Sequence, residues 1–246
     1  MGEMTSDDQL YLEDQLLDRV LGAPVEEFLS EMAQVAAATL STPEVPVLCG
    51  VTVQRVRKAR AAAASDETAR RLDELQRDLG EGPCISALRE SRTTVIQDTA
   101  SEDRWPLYIA RAAAEGVRSV CGVPLVVGDQ TRASLNFYAT QERIFHGKTI
   151  EEAQLIATHA GRALRLALQV AYLTNVRKDL TAAMESRTTI DVAVGMIMAH
   201  NRCSQDAAMA MMKTASSHRN MKLREVAQRI VNSVSPGGDV STFFET

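Results

Sequence analysis

Residues 117–139 read VRSVCGVPLVVGDQTRASLNFYA, two apolar runs rich in β-branched and aromatic residues, divided by Gly128-Asp129-Gln130. Runs of this composition on either side of a short Gly/Asp-containing break predict a β-hairpin, with strands over 117–127 and 133–139. The chain upstream supplies more strands. Residues 45–64 are β-branched in their first half (Val47, Val51, Val53, Val56), which predicts two short strands, and 93–97 predicts another. Helices are predicted over 24–40, opened by Pro24, over 66–79, with Leu72, Leu75 and Leu79 on one face, and over 105–115. Between them Leu79-Gly80-Glu81-Gly82-Pro83 predicts a loop. This order of strands and helices predicts an α+β domain, an antiparallel sheet flanked by helices.

Both ends extend that domain with helix. Leu10, Leu12, Leu16, Leu17, Val20 and Leu21 fall at helical spacings, so an N-terminal amphipathic helix is expected within residues 1–22. Residues 149–184 hold no Gly or Pro except Gly161 and predict one long helix. Along it Ala153, Ile156, Ala160, Ala163, Ala167 and Val170 recur at steps of three and four. After a slip they are followed by Leu173, Val176, Leu180 and Met184. A seam of that length packs on the chain's own sheet or forms a coiled coil. The helix outruns any plausible sheet edge, so a coiled-coil homodimer is expected.

A second module follows. Ile190, Ala193, Val194, Ile197 and Met198 form an i, i+3, i+4, i+7, i+8 stripe, and Leu223, Val226, Ala227, Ile230 and Val231 repeat it. Between them Ser204 offers an N-cap for a helix whose apolar face is Ala208, Met211, Met212 and Ala215. Three short amphipathic helices predict a C-terminal three-helix bundle. Seven of the ten Met lie between Met184 and Met221, and they read as its core filler.

Charge divides at nearly the same place. The 246 residues carry a net charge of −5, made of −7 over residues 1–173, +4 over 174–234 and −2 over the tail. A basic segment behind an acidic body invites a nucleic-acid reading. The expected domains are thus 1–22, 23–172 (the α+β domain), 173–235 (the basic bundle, a nucleic-acid-binding candidate) and a flexible tail, 236–246. No apolar run approaches the roughly 18–20 residues that span a bilayer. The N-terminus is acidic, unlike a signal peptide. The four Cys (Cys49, Cys84, Cys121, Cys203) show no CxxC spacing. A cytoplasmic protein without membrane attachment, with reduced thiols and no zinc site, is expected.

Particular motifs carry resemblances. Leu79-Gly80-Glu81-Gly82-Pro83-Cys84, Arg104-Trp105-Pro106, Gly116-Val117-Arg118-Ser119-Val120, Val123-Pro124-Leu125 and Leu135-Asn136-Phe137-Tyr138 occur in the order seen in GAF sensor domains. They resemble the actinobacterial type. That resemblance implies a central antiparallel sheet covered by helices, with a pocket for a small-molecule or protein signal on one face. Cys84 and Cys121 read as small apolar residues, and Trp105, the only Trp, as an anchor for its helix.

Ser186-Arg187, Ile190-Asp191, Ala193, Gly195-Met196-Ile197-Met198, Ala207-Ala208, Ser216, Asn220, Lys222-Leu223-Arg224 and Val226-Ala227 resemble the ANTAR module. The resemblance implies binding to paired stem-loops in nascent messenger RNA and prevention of transcription termination. Many ANTAR modules carry Gln and Lys where this chain has Val192 and Val194, so affinity here must rest on other cations.

No aromatic residue lies between Tyr172 and Phe243, so base-stacking platforms of the RRM or OB kind are excluded. Recognition has to use phosphates, 2′-hydroxyls and loop bases, with Arg guanidinium planes in place of aromatics. The candidate RNA-binding residues are Arg187, Arg202, Ser216, His218, Arg219, Asn220, Lys222 and Arg224, with Ser216 and Asn220 also suited to shaping the turn before the last helix. Ala193 and Gly195 are candidates for close approach to a helix or to RNA.

The four His (His146, His159, His200, His218) show no metal-ligand spacing, and there is no P-loop, GxGxxG or GxSxG sequence. No catalysis, cofactor or metal is expected. The expectation is a signal-responsive antitermination regulator, a homodimer whose partners are RNA and an unknown signal at the sensor domain. The alternative is a DNA-binding regulator that uses the bundle as a helix-turn-helix, reading bases with Arg224, Glu225, Gln228, Arg229 and Asn232.

Overall fold

A computed structural model of the chain describes residues 24–55, 58–128 and 131–234. The helix expected within residues 1–22, the tail 236–246 and the hairpin tip Asp129-Gln130 lie outside the described residues. The chain forms two compact units, Met1–Ala171 and Tyr172–Thr246.

The first unit contains α1 (Val25–Leu40), β1 (Val47–Arg55), β2 (Lys58–Ala64), α2 (Glu67–Leu79), α3 (Pro83–Glu90), β3 (Thr94–Ile96), α4 (Pro106–Ala114), β4 (Ser119–Gly128), β5 (Thr131–Ala139) and the beginning of α5 (Gly147–Asn201). The five strands make one antiparallel sheet in the order β2-β1-β5-β4-β3. The hairpin β4–β5 occupies its middle, with Val123 paired to Leu135 and Cys121 to Phe137.

Because side chains alternate along a strand, each strand serves two layers. Cys49, Val51, Cys121, Val123, Leu135 and Phe137 point to one side, against Phe28, Leu29 and Met32 of α1 and Ala153, Ile156, Ala160 and Leu164 of α5. The first half of the seam on the long helix therefore packs on the chain's own sheet. Gly161 lets the helix lie close there, since a Cβ would stand 3.1 Å from the Val126 carbonyl oxygen. The opposite side has a smaller apolar cluster of Leu72, Ile96, Tyr108, Ala112, Val120 and Tyr138, under α2 and α4.

Two expectations about element boundaries are corrected. The 79–83 loop is shorter than its Gly and Pro suggest. Gly80, at φ 71°, closes α2 with its N–H on the Gln76 carbonyl, and Pro83 is already the first residue of α3. A proline tolerates that position because the first N–H of a helix has no intrahelical partner. The long helix runs over Gly147–Asn201, not 149–184, and so the bundle's first helix is its continuation. No residue between 184 and 195 breaks it, and Gly195 costs only about 1 kcal/mol inside a helix.

The second unit packs Ala193 and Val194 of α5 against Ala208 and Met212 of α6 (Gln205–His218) and Ala227 and Val231 of α7 (Leu223–Val234). The Ser204 hydroxyl accepts the Ala207 N–H at 3.3 Å and caps α6. Among the described residues no helix is long and apolar enough to cross a membrane.

Candidate functional site

In the bundle, the candidate residues fall at two turns and on one helix. Ser216 and His218 end α6, Arg219, Asn220 and Lys222 form the α6–α7 turn, and Arg224 lies in the first turn of α7. The turn is held from within. The Ser216 hydroxyl donates to the Met221 carbonyl at 2.6 Å, the Met221 N–H donates to the Ser216 carbonyl at 3.0 Å, and Asn220 takes a left-handed φ of 48°. The Lys222 N–H is 3.3 Å from the Glu225 carboxylate, which closes the start of α7. His218, Arg219, Asn220, Lys222 and Arg224 are all exposed. Among the described residues, Arg219, Lys222 and Arg224 make no ion pair.

Arg202 is placed elsewhere. It sits in the α5–α6 turn with a φ of 51°, at the other end of the 14-residue α6 from Arg219. At about 1.5 Å per residue the two turns stand roughly 20 Å apart. Arg187 lies on α5, its side chain 86% exposed and 3.9 Å from Asp191.

Ala193 and Gly195 have different surroundings. Ala193 is fully buried in the bundle core, whereas a Cβ at Gly195 would meet nothing within 4 Å. Val194 also belongs to the core, and Val192 is 37% exposed.

On α5 the second half of the seam is exposed, with no covering among the described residues. Leu173 is 63% exposed, Leu180 60%, Val176 44% and Met184 38%, and Leu166, one heptad before Leu173, is 37% exposed.

The sensor unit holds a polar centre that motif reading did not find. On the α2–α4 side of the sheet, Asn136 stands between Gly50 and Gly122, its partners on either side, and Ser134 between Thr52 and Pro124. Asp73 of α2 descends onto this row. Its Oδ1 accepts the Tyr138 hydroxyl at 2.5 Å and the Asn136 amide at 2.8 Å. Gly50 makes room for it, since a Cβ there would stand 2.0 Å from Asp73 Oδ2. One turn on, Gln76 accepts the Cys84 N–H at 2.8 Å and donates to the Tyr138 hydroxyl at 3.2 Å and to Cys84 Sγ at 2.9 Å.

Burial pushes the Asp73 carboxyl up to about 7, against the opposing pull of the Tyr138 and Asn136 hydrogen bonds and of Arg77. Its Oδ2, the Tyr108 hydroxyl, Ser134 Oγ and Asn136 Oδ1 are buried and find no hydrogen-bond partner among the described residues. Burial and the Asp73 charge also raise the Cys84 and Cys49 thiols, and burial lifts Cys121 to about 12. Thiols held neutral in this way are poor nucleophiles. The sequence trace of the centre is the alternation Ser134, Asn136, Tyr138 inside an otherwise apolar strand. Asp73 leaves no such trace, because an acid on an amphipathic helix reads as solvated.

Trp105 is half-buried against the Tyr108 cluster, at the start of α4, and the Arg104 guanidinium lies 4.8 Å from its ring centroid.

These features meet the comparisons with known proteins. The GAF domain family matches residues 13–165, and the ANTAR domain matches residues 178–231. The chain therefore belongs to the GAF domain family and carries an ANTAR domain behind its sensor. That is the architecture of a sensor-regulated ANTAR antitermination regulator.

None of the curated proteins matches it. Similar solved structures include the N-acylhomoserine lactone-dependent LuxR family transcription factor CepR2 of Burkholderia cenocepacia, at 17% identity and TM-score 0.49, over 66% of this chain and 99% of that one. Another is the phycoerythrobilin-bound GAF domain of a cyanobacterial phytochrome, at 13% and 0.48, over 67% and 98%. A third is fRMsr of Staphylococcus aureus in its reduced form, at 17% and 0.46, over 64% and 95%.

Proposed function

We propose that the ANTAR unit binds RNA stem-loops through the α6–α7 turn, that a signal at the GAF domain controls this binding, and that the active form is a cytoplasmic homodimer. The observation that carries the reading is the turn itself. Within seven residues it presents Arg219, Lys222 and Arg224, all exposed, with no acid among them. Cations fixed on a hydrogen-bonded turn suit phosphates and the shape of an A-form stem, and a guanidinium plane can stack on a flipped loop base. In this reading Ser216 and Asn220 set the shape of the turn, and Arg187 and Arg202 supply outlying phosphate contacts. No catalytic step or cofactor enters.

The DNA reading is supported less well. It needs free polar groups on α7, but the Gln228 amide donates to the Asn232 side chain at 3.0 Å and Glu225 is engaged with the Lys222 N–H.

The dimer rests on the bare stripe Leu166, Leu173, Val176, Leu180 and Met184, a second copy of which covers it in a coiled coil. Two bundles on one dimer would grip a double stem-loop with the gain of effective concentration.

The deciding experiment titrates full-length protein against double-stem-loop RNA, unrelated RNA and duplex DNA at two salt concentrations. Preference for the paired stem-loops, weakening with salt, is the expected result. Equal binding to all three, or a preference for duplex DNA, overturns the reading.

A further inference from the structure

On the sensor unit, the end of α3, the turn that follows it, the edge of β3 and the Arg104-Trp105 pair border a groove of about 390 Å³. β3 is an outermost strand of the sheet, so this groove lies at the sheet's margin, apart from the buried Asp73 centre. Its size falls within the range of small-molecule sites.

Its chemistry departs from that of the surrounding unit. Arg89, Arg92 and Arg104 line it with a single acid, Glu90, although residues 1–173 carry a net charge of −7. Glu90 is divided between Arg92, at 2.7 Å, and Arg89, at 3.6 Å. One carboxylate cannot satisfy two five-donor forks, so both keep N–H groups for a further acid.

Arg104 is occupied differently. It is clamped to Glu102 at 2.7 Å, donates to the Val95 carbonyl at 2.9 Å, and rests on Trp105. Its guanidinium lies 4.8 Å from the indole centroid, so it is committed to the Trp105 side of the groove.

The backbone supplies an independent indication. Trp105 is held at φ 52°, and Ser91, between Glu90 and Arg92, at φ 51°. A bulky residue in the left-handed region costs on the order of 1–3 kcal/mol and persists where the surroundings impose it, as at ligand sites. Trp105 is the one such bulky residue on this groove, since Ser91 takes its left-handed φ as the cap that ends α3.

We propose that this groove binds a small anion joined to a flat ring, with the acidic group between Arg89 and Arg92 and the ring against Trp105. A forked guanidinium pair fits a carboxylate or a phosphate equally, so the two sources share this chemistry. The proposal rests on the reading that the GAF domain receives a signal, and it names that signal's class.

Trp105 is the only Trp, so its fluorescence reports on the groove alone, without RNA present. Full-length protein is titrated with phenyl phosphate, benzoate, inorganic phosphate and phenol, and calorimetry repeats each titration. Saturable binding of phenyl phosphate or benzoate, at least about tenfold tighter than phosphate or phenol, supports the proposal. Whichever ring-bearing anion binds tighter identifies the source. The double variant R89A/R92A, altered only at exposed side chains, should keep its melting temperature and bind at least about tenfold more weakly. No saturation with either ring-bearing anion, equal binding by the double variant, or phenol binding as tightly as phenyl phosphate overturns it. A failure here leaves the RNA titration untouched, and a failure of RNA binding leaves the groove untouched.

Discussion

Asp73 is the residue on which the sensor unit's pH response turns. Its carboxyl is buried, and burial lifts it from the ordinary aspartate value of 3.8 to about 7 in the folded state. The folded state then binds the proton more tightly than the unfolded state, so stability falls as pH rises from about 4 to about 7 and is flat above that. The span corresponds to about 4 kcal/mol at most. Urea unfolding at several pH values should show this slope in the wild type and lose most of it in Asp73→Asn. The groups facing Asp73 are Tyr138 and Asn136 of β5, Arg77 and Glu74 of α2, Cys84 of α3 and Tyr108 of α4. The Tyr and Cys among them are pushed upward and stay neutral over this range.

At the same scale, the three cations of the α6–α7 turn should each weaken RNA binding when changed to Ala. Each loss should lower the salt slope of log K by about 0.7–0.9. Arg202→Ala, one helix length away, should change the affinity for a single stem-loop by less than any of them. A filter-binding series in salt checks both statements.

At the scale of the element, Gly195 is the informative position of α5. Local physics argues for Ala there, since glycine inside a helix costs about 0.5–1 kcal/mol and the space around a Cβ is open. Gly195→Ala should therefore raise the melting temperature of the bundle. If the open space receives RNA, the same variant should bind stem-loops more weakly while being more stable. Thermal melts paired with RNA titrations read both effects.

The helix that carries Gly195 also shows where sequence periodicity stops being informative. Ala153–Ala167 and Leu173–Met184 have the same three-and-four spacing, yet the first set is buried on the sheet and the second is bare. Periodicity identifies an apolar face and is silent on what covers it. The helix α3 was hidden for another reason. Its Pro and the two preceding Gly are loop residues by composition, and only the packing of Cys84, Ser86 and Ala87 shows that Pro83 opens a helix.

For the whole molecule, the dimer proposal makes a combined prediction. Leu173→Glu with Leu180→Glu places charges in the bare stripe without touching either core. The double variant should sediment as a monomer and keep the wild-type far-UV spectrum. It should bind a single stem-loop as the wild type does, but lose about 10²-fold or more on the paired stem-loop RNA. A variant that remains dimeric, or an equal loss on both RNAs, would sink the avidity mechanism.

The sequence alone determined the hairpin at the sheet's centre, the α+β class, the bundle and its basic character. All of these follow from short-range periodicity, turn residues and charge, which the chain carries locally. The order β2-β1-β5-β4-β3, the descent of Asp73 onto Gly50 and the gathering of Arg89, Arg92 and Trp105 at one groove were decided only by the tertiary structure. The reason is physical: burial, and with it the charge state of a carboxyl, depends on neighbours that are distant along the chain. Asp73 and its hydrogen-bond partners Asn136 and Tyr138 are more than 60 residues apart, and no local pattern marks an acid that will lose its water.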